Sequence, residues 1–422
     1  MGKSNLLEKT VIKPKEDPGS KAGILSGADG LRAIACLSVI FHHFAQHLAM
    51  PAQNRQVQEI QSFFLLGNSG VSVFFVLSGF LLSYPFWKQY LNAGDFPDMK
   101  QYAIRRAGRI MPGFYAALLV STLLVLIFHV ESKYLLLRLL SGLTFTAGFH
   151  YVTLYPNEIN GPFWSISFEV FCYFLMPAFM YGLYKMSGKK RAFMKAFCYW
   201  IGVFAFIIFL NQLVHIYLTP DDYMRGWEYG LLGGAKAWMP NYNPVGFFGH
   251  FALGIMAAGI SARLCKKPAK YESFKKAYGF DFLGIAFLCG AIVLLWLMRH
   301  QPEYSLGLQS QPYFFPAYAM LMAGTLAAAT HSNWFGRLLD NRFFRYTAKV
   351  SFGLYIWHYL VIFIVARGWV KAYQQYMGVA DIKTWGLASL VILVLSYGVA
   401  ALSYKFIEKP VLDRVHKIGY KK

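Results

Sequence analysis

Apolar residues occur in long blocks separated by short polar stretches, not in an alternating pattern. Ten blocks lie at about 25–47, 69–87, 112–130, 163–184, 193–213, 245–262, 280–298, 313–331, 347–366 and 385–407. At about 1.5 Å per helical residue, each covers most or all of a ~30 Å hydrocarbon core. An eleventh apolar piece, 134–149, is shorter and carries Arg138, which predicts an interfacial or re-entrant helix. The pattern predicts an all-α fold: a polytopic membrane helix bundle of about ten transmembrane helices plus that short helix. The expected organisation is a polar tail over 1–24, a transmembrane domain over 25–410 and a basic tail over 411–422. No internal repeat, low-complexity run or soluble domain breaks the series, and no soluble domain is expected after the last span.

Charge changes the picture only by giving it a direction. The 422 residues are 56% hydrophobic and 14% charged, with a formal net charge of +21. That excess invites a nucleic-acid reading, but topology accounts for it better. With the N-terminus in the cytoplasm, the inner segments hold 31 Lys and Arg and the outer segments 9, and Arg32 within the first span completes the 41. This is a positive-inside distribution, and it predicts a multi-pass protein of the cytoplasmic (inner) membrane with both termini cytoplasmic. The basic face fits anionic inner-leaflet lipid, so membrane lipid is the expected partner and nucleic acid is not. Residues 1–24 are polar and Lys-rich, and the block after them is interrupted by Asp29 and Arg32, which makes a poor cleavable signal and a good anchored helix. Five cysteines lack paired spacing and point to neither a disulfide framework nor a metal site.

Ionisable groups inside the blocks carry the candidate chemistry. In the first block, Asp29-Gly-Leu-Arg32 runs into Phe41-His42-His43. Eleven residues along a helix place Arg32 and His43 roughly 16.5 Å apart and about 20° apart in azimuth, with Cys36, Val39 and Ile40 on the stripe between them. A charge near the bilayer centre costs about 2.5–3.5 kcal/mol on insertion scales, which favours a functional reading. The bland alternative stays open: Arg32 snorkels to the headgroups and His43 caps the far end. Glu169 and His358 also fall inside apolar blocks, each costly unless paired. Glu169 has three open roles: orienting a histidine, pairing with an arginine, or serving a structural ion pair. His358, beside Tyr355 and Trp357, is either a polar group of a cavity or a satisfied core histidine. The outer stretch 214–244 contains Asp221, Asp222, Glu228, Trp227 and Trp238, a composition that suits either a sugar site or an interfacial aromatic belt.

Taken together, six motifs in order resemble the acyltransferase-3 family of integral membrane O-acyltransferases. They are Arg32 with His43 eleven residues on, Gly70-Val-Ser-Val-Phe-Phe-Val-Leu-Ser78-Gly79-Phe-Leu, and Arg105-Arg106-Ala-Gly-Arg109-Ile-Met-Pro112. Trp164-Ser-Ile-Ser-Phe-Glu169-Val-Phe-Cys-Tyr173, Ser351-Phe-Gly-Leu-Tyr355-Ile-Trp357-His358 and Phe406-Ile-Glu408-Lys-Pro410 complete the set. Two departures stand out: Val170 replaces the second acid usual after Glu169, and His42 sits beside His43, where spacing selects His43. The form expected is the stand-alone one, without a fused soluble domain.

The resemblance implies transfer of an acyl group, most often acetyl, from cytoplasmic acyl-CoA to a hydroxyl of an extracytoplasmic or membrane-associated acceptor. A carbohydrate or lipid-linked sugar of the cell envelope is the leading acceptor class, as in polysaccharide O-acetylation. Acyl-CoA is then a donor substrate, and no bound cofactor or metal is expected. A histidine suits the base that such chemistry needs, and His43 is the catalytic candidate, as base or acyl relay. Arg32, Arg106 and Arg109 are the donor-binding candidates, because planar guanidinium forks match phosphate. Arg106 and Arg109 also have the bland reading of ordinary positive-inside charge. Glu169, Tyr355 and His358 are supporting candidates. Glu408 is expected to pair with a cytoplasmic arginine, and Ser78-Gly79 to mark close helix packing. The competing class is a secondary transporter of a small anionic solute, against which stands the absence of paired broken helices in two matching halves.

Overall fold

A computed structural model describes residues 25–188, 191–219, 221–306 and 311–419. The expected polar tail and the last three residues lie outside that range. Among these residues sixteen α-helices follow one another: α1 (Ala28–His47), α2 (Arg55–Leu65), α3 (Gly70–Leu91), α4 (Met99–Ile127), α5 (Leu135–Leu143), α6 (Trp164–Ser187), α7 (Phe193–Leu218) and α8 (Gly230–Trp238). Then come α9 (Pro244–Lys266), α10 (Glu272–Lys276), α11 (Gly279–Met298), α12 (Ala317–His331), α13 (Phe335–Leu339), α14 (Arg342–Gly368), α15 (Ile382–Ser403) and α16 (Lys409–Gly419). The β structure among the described residues is a single parallel bridge, Leu48 to Val379.

Among the described residues, eight helices are long and apolar enough to cross a bilayer: α3, α4, α6, α7, α9, α11, α14 and α15. The ten expected blocks all contain helices, but two fall short of that standard. α1 loses apolarity to Asp29, Arg32, His42, His43 and His47, while α12 has only 15 residues, about 22 Å. The interrupted stretch at 134–149 contains the nine-residue α5, too short to span.

Why the bundle holds is clearest at its centre. In its most apolar window α9 is 83% buried, against 17% for α11, so α9 is a core helix and α11 a lipid-facing one. α9 packs on α3 with backbone nearly touching backbone. A Cβ on Gly254 would sit 2.0 Å from the Val76 carbonyl oxygen, and one on Gly79 would sit 2.1 Å from that of Phe251. Small residues at a helix crossing let dispersion act over the whole seam where lipid leaves no hydrophobic drive. The expected packing role of Gly79 is therefore met.

α1 lies against α3 and α14 and is tied at both ends. At its start, the Asp340 carboxylate accepts the N–H groups of Gly27 (2.7 Å) and Gly30 (3.0 Å). These donors have no partner within their own helix, and a carboxylate there also meets the positive end of the dipole. At its end, the Gln46 and His47 carbonyls accept the N–H groups of Met377 (2.8 Å) and Val379 (3.0 Å). The azimuth of Arg32 and His43 is fixed by this double tether.

Candidate active site

Three cavities that share walls lie in series along the α1 stripe. The first, about 490 Å³, opens among Asp29, Arg32, Arg105, Arg106, Arg109, Arg345 and Lys349. It shares Arg32, Leu81, Leu82, Arg106 and Arg109 with a narrow middle cavity of about 110 Å³. The middle cavity shares Val71 and Tyr355 with a third, about 900 Å³, walled by His43, Trp164, Trp227, Trp238, Tyr155 and Tyr359. Arg32 and His43 thus sit at opposite ends of one passage.

At the basic end, six cations meet a single lining carboxylate, and two of the arginines are already paired. Arg32 pairs with Asp29 at 3.6 Å, and Arg109 pairs with the fully buried Glu408 at 3.7 Å while lying over the Phe352 ring. The pairing expected of Glu408 is present. Arg106 has no ion pair among the described residues, and its Nε is buried without a hydrogen-bond partner. A buried donor left open is costly, so this guanidinium is the one best suited to an incoming anion.

Glu169 lines the middle cavity with Ser351 and Tyr355. It accepts hydrogen bonds from Ser78 Oγ (2.8 Å) and Tyr173 Oη (2.5 Å). Neither partner is the histidine or arginine expected from sequence. Tyr173 lies four residues along the same helix, where i,i+4 side chains meet, so the acid is satisfied locally. Tyr355 Oη is 2.6 Å from Ser165 Oγ and 3.3 Å from the Pro162 carbonyl oxygen, which ties α14 to the start of α6.

At the aromatic end, the two adjacent histidines part company. His42 is buried, and its Nδ1 donates to the Leu65 carbonyl at 2.6 Å. His43 meets Gln46 Oε1 through Nδ1 at 2.9 Å, and its ring lies 5.2 Å from that of His358 and 4.9 Å from that of Tyr359. His358 is fully buried, with Nδ1 2.9 Å from the carbonyl oxygens of both Leu354 and Tyr355. Its Nε2 is buried without a partner. One end of the passage therefore holds guanidinium groups and the other an imidazole pair, the inventory for anion capture and for proton transfer.

Several residues of this site were not singled out by the sequence. Arg345 and Lys349 join the basic mouth from α14, and Glu303 enters the aromatic cavity from the segment between α11 and α12. Glu303 accepts from Tyr242 Oη and from Asn68 Nδ2 (3.2 Å), and burial raises its carboxyl above the usual carboxylate range although both bonds pull it down. The acids of 214–244 do not line this cavity as a sugar site would need. Lys236 engages Asp221 at 2.5 Å and holds its carboxyl low, while Asp222 is 98% exposed beside Arg225. Trp227 and Trp238 do face the cavity, Trp238 stacking on Tyr242 at 3.7 Å.

The sequence matches the family model described as an acyltransferase domain, the acyltransferase-3 family, over residues 25–405. Among curated proteins, a "Putative O-acetyltransferase" of Staphylococcus aureus (strain COL) is 25% identical over 405 residues, covering 92% of this chain and 58% of the relative. The Bacillus subtilis (strain 168) protein named "Putative peptidoglycan O-acetyltransferase YrhL" is 25% identical over 409 residues, covering 92% of this chain and 55% of its own. O-acetyltransferase OatA of Staphylococcus aureus (strain NCTC 8325 / PS 47) is 23% identical over 406 residues, covering 94% of this chain and 58% of its own. The chain thus spans little more than half the length of these relatives. No solved structure matches it.

Proposed function

Because the chain belongs to the acyltransferase-3 family, we propose that this integral membrane protein is an O-acyltransferase drawing on acyl-CoA, with acetyl-CoA the leading donor. The donor enters the basic cavity from the cytoplasm, and the acceptor hydroxyl enters the aromatic cavity from the extracytoplasmic side. The observation that carries the reading is the shared walls of the three cavities, which set Arg32, Arg106 and Arg109 in series with His43. Coenzyme A carries a pyrophosphate and a 3′-phosphate, and six cations surround the basic mouth to meet them. The pantetheine arm then lies along the narrow middle cavity, with Arg32 beside it.

His43 acts as the base. The acceptor oxygen attacks the thioester carbonyl while the imidazole takes the hydroxyl proton. The tetrahedral adduct collapses, the C–S bond breaks, and the proton passes from the imidazolium to the departing sulfur of CoA. The products are an ester and free CoA. Half-buried Glu169, in the wall of the middle cavity, offsets the charge of the arginines beside it. The acceptor class is a carbohydrate of the cell envelope: aromatic faces at Trp227, Trp238 and Tyr155 suit sugar rings, and the name of the Bacillus subtilis relative points to peptidoglycan.

The test is transfer of labelled acetyl from acetyl-CoA to soluble peptidoglycan fragments by the purified protein in proteoliposomes, without an ion gradient. His43→Ala should lose at least 100-fold, the lower range for general-base catalysis, while still binding CoA. His42→Ala, whose Nδ1 is spent on Leu65, should retain transfer. An active His43→Ala enzyme would remove His43 from the chemistry.

A further inference from the structure

We infer that Gln46 is a positioning residue for His43: its side-chain carbonyl holds the imidazole Nδ1–H and leaves Nε2 as the lone pair offered to the acceptor. The inference rests on the reading of His43 as the base. Neutral imidazole has one donor and one acceptor nitrogen, and which is which follows from what the partners present. Here Nδ1 faces an amide oxygen at 2.9 Å, which can only accept, so the proton sits on Nδ1. No hydrogen bond engages Nε2 among the described residues, and His43 lines the aromatic cavity together with Gln46.

The amide is held where it can do this. Gln46 lies one turn beyond His43 on α1, and its own backbone carbonyl accepts the Met377 N–H at 2.8 Å. The next link in the same tether is the Leu48–Val379 bridge. The segment around Met377 therefore fixes the end of α1, and with it the Gln46 side chain against the imidazole. His358 is arranged alike, its Nδ1 directed at two carbonyl oxygens. Both histidines of the pair are thus set as Nδ1–H tautomers by oxygen acceptors that carry no charge.

An uncharged acceptor has a purpose here. A carboxylate in place of the Gln46 amide would favour the imidazolium and leave less neutral base at a given pH. The titratable groups facing His43 are His42 and His47 on α1, Tyr355, His358 and Tyr359 on α14, and Tyr155, Glu303, Tyr313 and Tyr376 around the cavity. None of these hydrogen-bonds Nδ1 of His43, so Gln46 alone sets the tautomer.

The experiment uses full-length protein in proteoliposomes treated with diethyl pyrocarbonate, which acylates neutral imidazole nitrogen. Ethoxyformylated His43 is quantified by peptide mass spectrometry between pH 4 and 8, a readout that requires neither donor nor acceptor. Gln46→Glu should move the midpoint of His43 modification up by about 1 pH unit, since an anion now contacts the ring. Gln46→Met keeps the side-chain volume and removes the acceptor. It should lower acetyl transfer roughly 2- to 10-fold, as expected for one neutral hydrogen bond, without changing the apparent affinity for acetyl-CoA. Identical modification profiles in wild type and Gln46→Glu would overturn the inference. If His43→Ala is inactive while those profiles coincide, Gln46 is excluded and the base remains. If His43→Ala retains transfer, the base reading itself has failed.

Discussion

Arg106→Lys is the sharpest test of the donor site, because the three arginines of the passage are not equally free. Arg32 is engaged by Asp29 and Arg109 by Glu408 and the Phe352 ring, whereas the Arg106 Nε is buried with no partner. An arriving phosphate therefore gains most at Arg106. A guanidinium binds phosphate through two parallel N–H donors, and an ammonium keeps the charge but not the fork. Losing one of two charge-assisted hydrogen bonds is worth about 1.5–3 kcal/mol. At about 1.4 kcal/mol per decade, that weakens CoA binding by roughly 10- to 150-fold. Arg109→Lys should weaken it less, because that side chain is already committed, and should cost stability through Glu408. Calorimetric titration of the purified variants with CoA measures both directly. Equal affinity of wild type and Arg106→Lys would refute the clamp and return these residues to ordinary positive-inside charge.

Two further predictions bear on the frame around the site. Asp340→Ala removes the acceptor of two N–H groups at the start of α1, so its thermal unfolding in detergent should fall by the equivalent of about 1–3 kcal/mol. Asp340→Asn should recover part of that loss, and no change in either variant would mean that the tether does not hold α1. The orientation predicts that single cysteines placed within 214–244 react with an impermeant thiol reagent on intact cells, whereas cysteines at 266–276 do not; the reverse labelling would invert the passage and with it the sides assigned to donor and acceptor.

The spans were legible because lipid imposes one rule on every residue of a crossing helix. Blocks predicted at 193–213 and 245–262 return as Phe193–Leu218 and Pro244–Lys266. The helices α2 and α8 went unseen, since short interfacial pieces leave no long apolar run. The candidate site was legible in its charged residues and illegible in their partners. Arg32 and His43 share a stripe through helical periodicity alone, but the partner of Arg138 could not be read. Arg138 is buried at 1% exposure, donating to the Tyr155 carbonyl and pairing with Glu158. Glu303 and Asp340 act on α1 and the aromatic cavity across chain separations that no local pattern encodes. The acids of 214–244 misled for the opposite reason, since composition says nothing of which way a loop side chain turns.

The middle cavity has a consequence for the cell that concerns neither donor nor acceptor. A passage open at both ends of a bilayer is a leak, and an energised membrane fails if protons cross it freely. Here the middle cavity measures about 110 Å³, and its wall sets Val71, Phe74, Phe75, Leu77 and Phe352 beside Arg32, Arg106, Arg109 and Glu169. Guanidinium groups fixed in a narrow wall repel protons and other cations in transit, and the bulky aromatic rings beside them leave little room for a continuous file of water. Small volume and fixed positive charge together let a protein be hollowed from both sides without discharging the membrane it sits in.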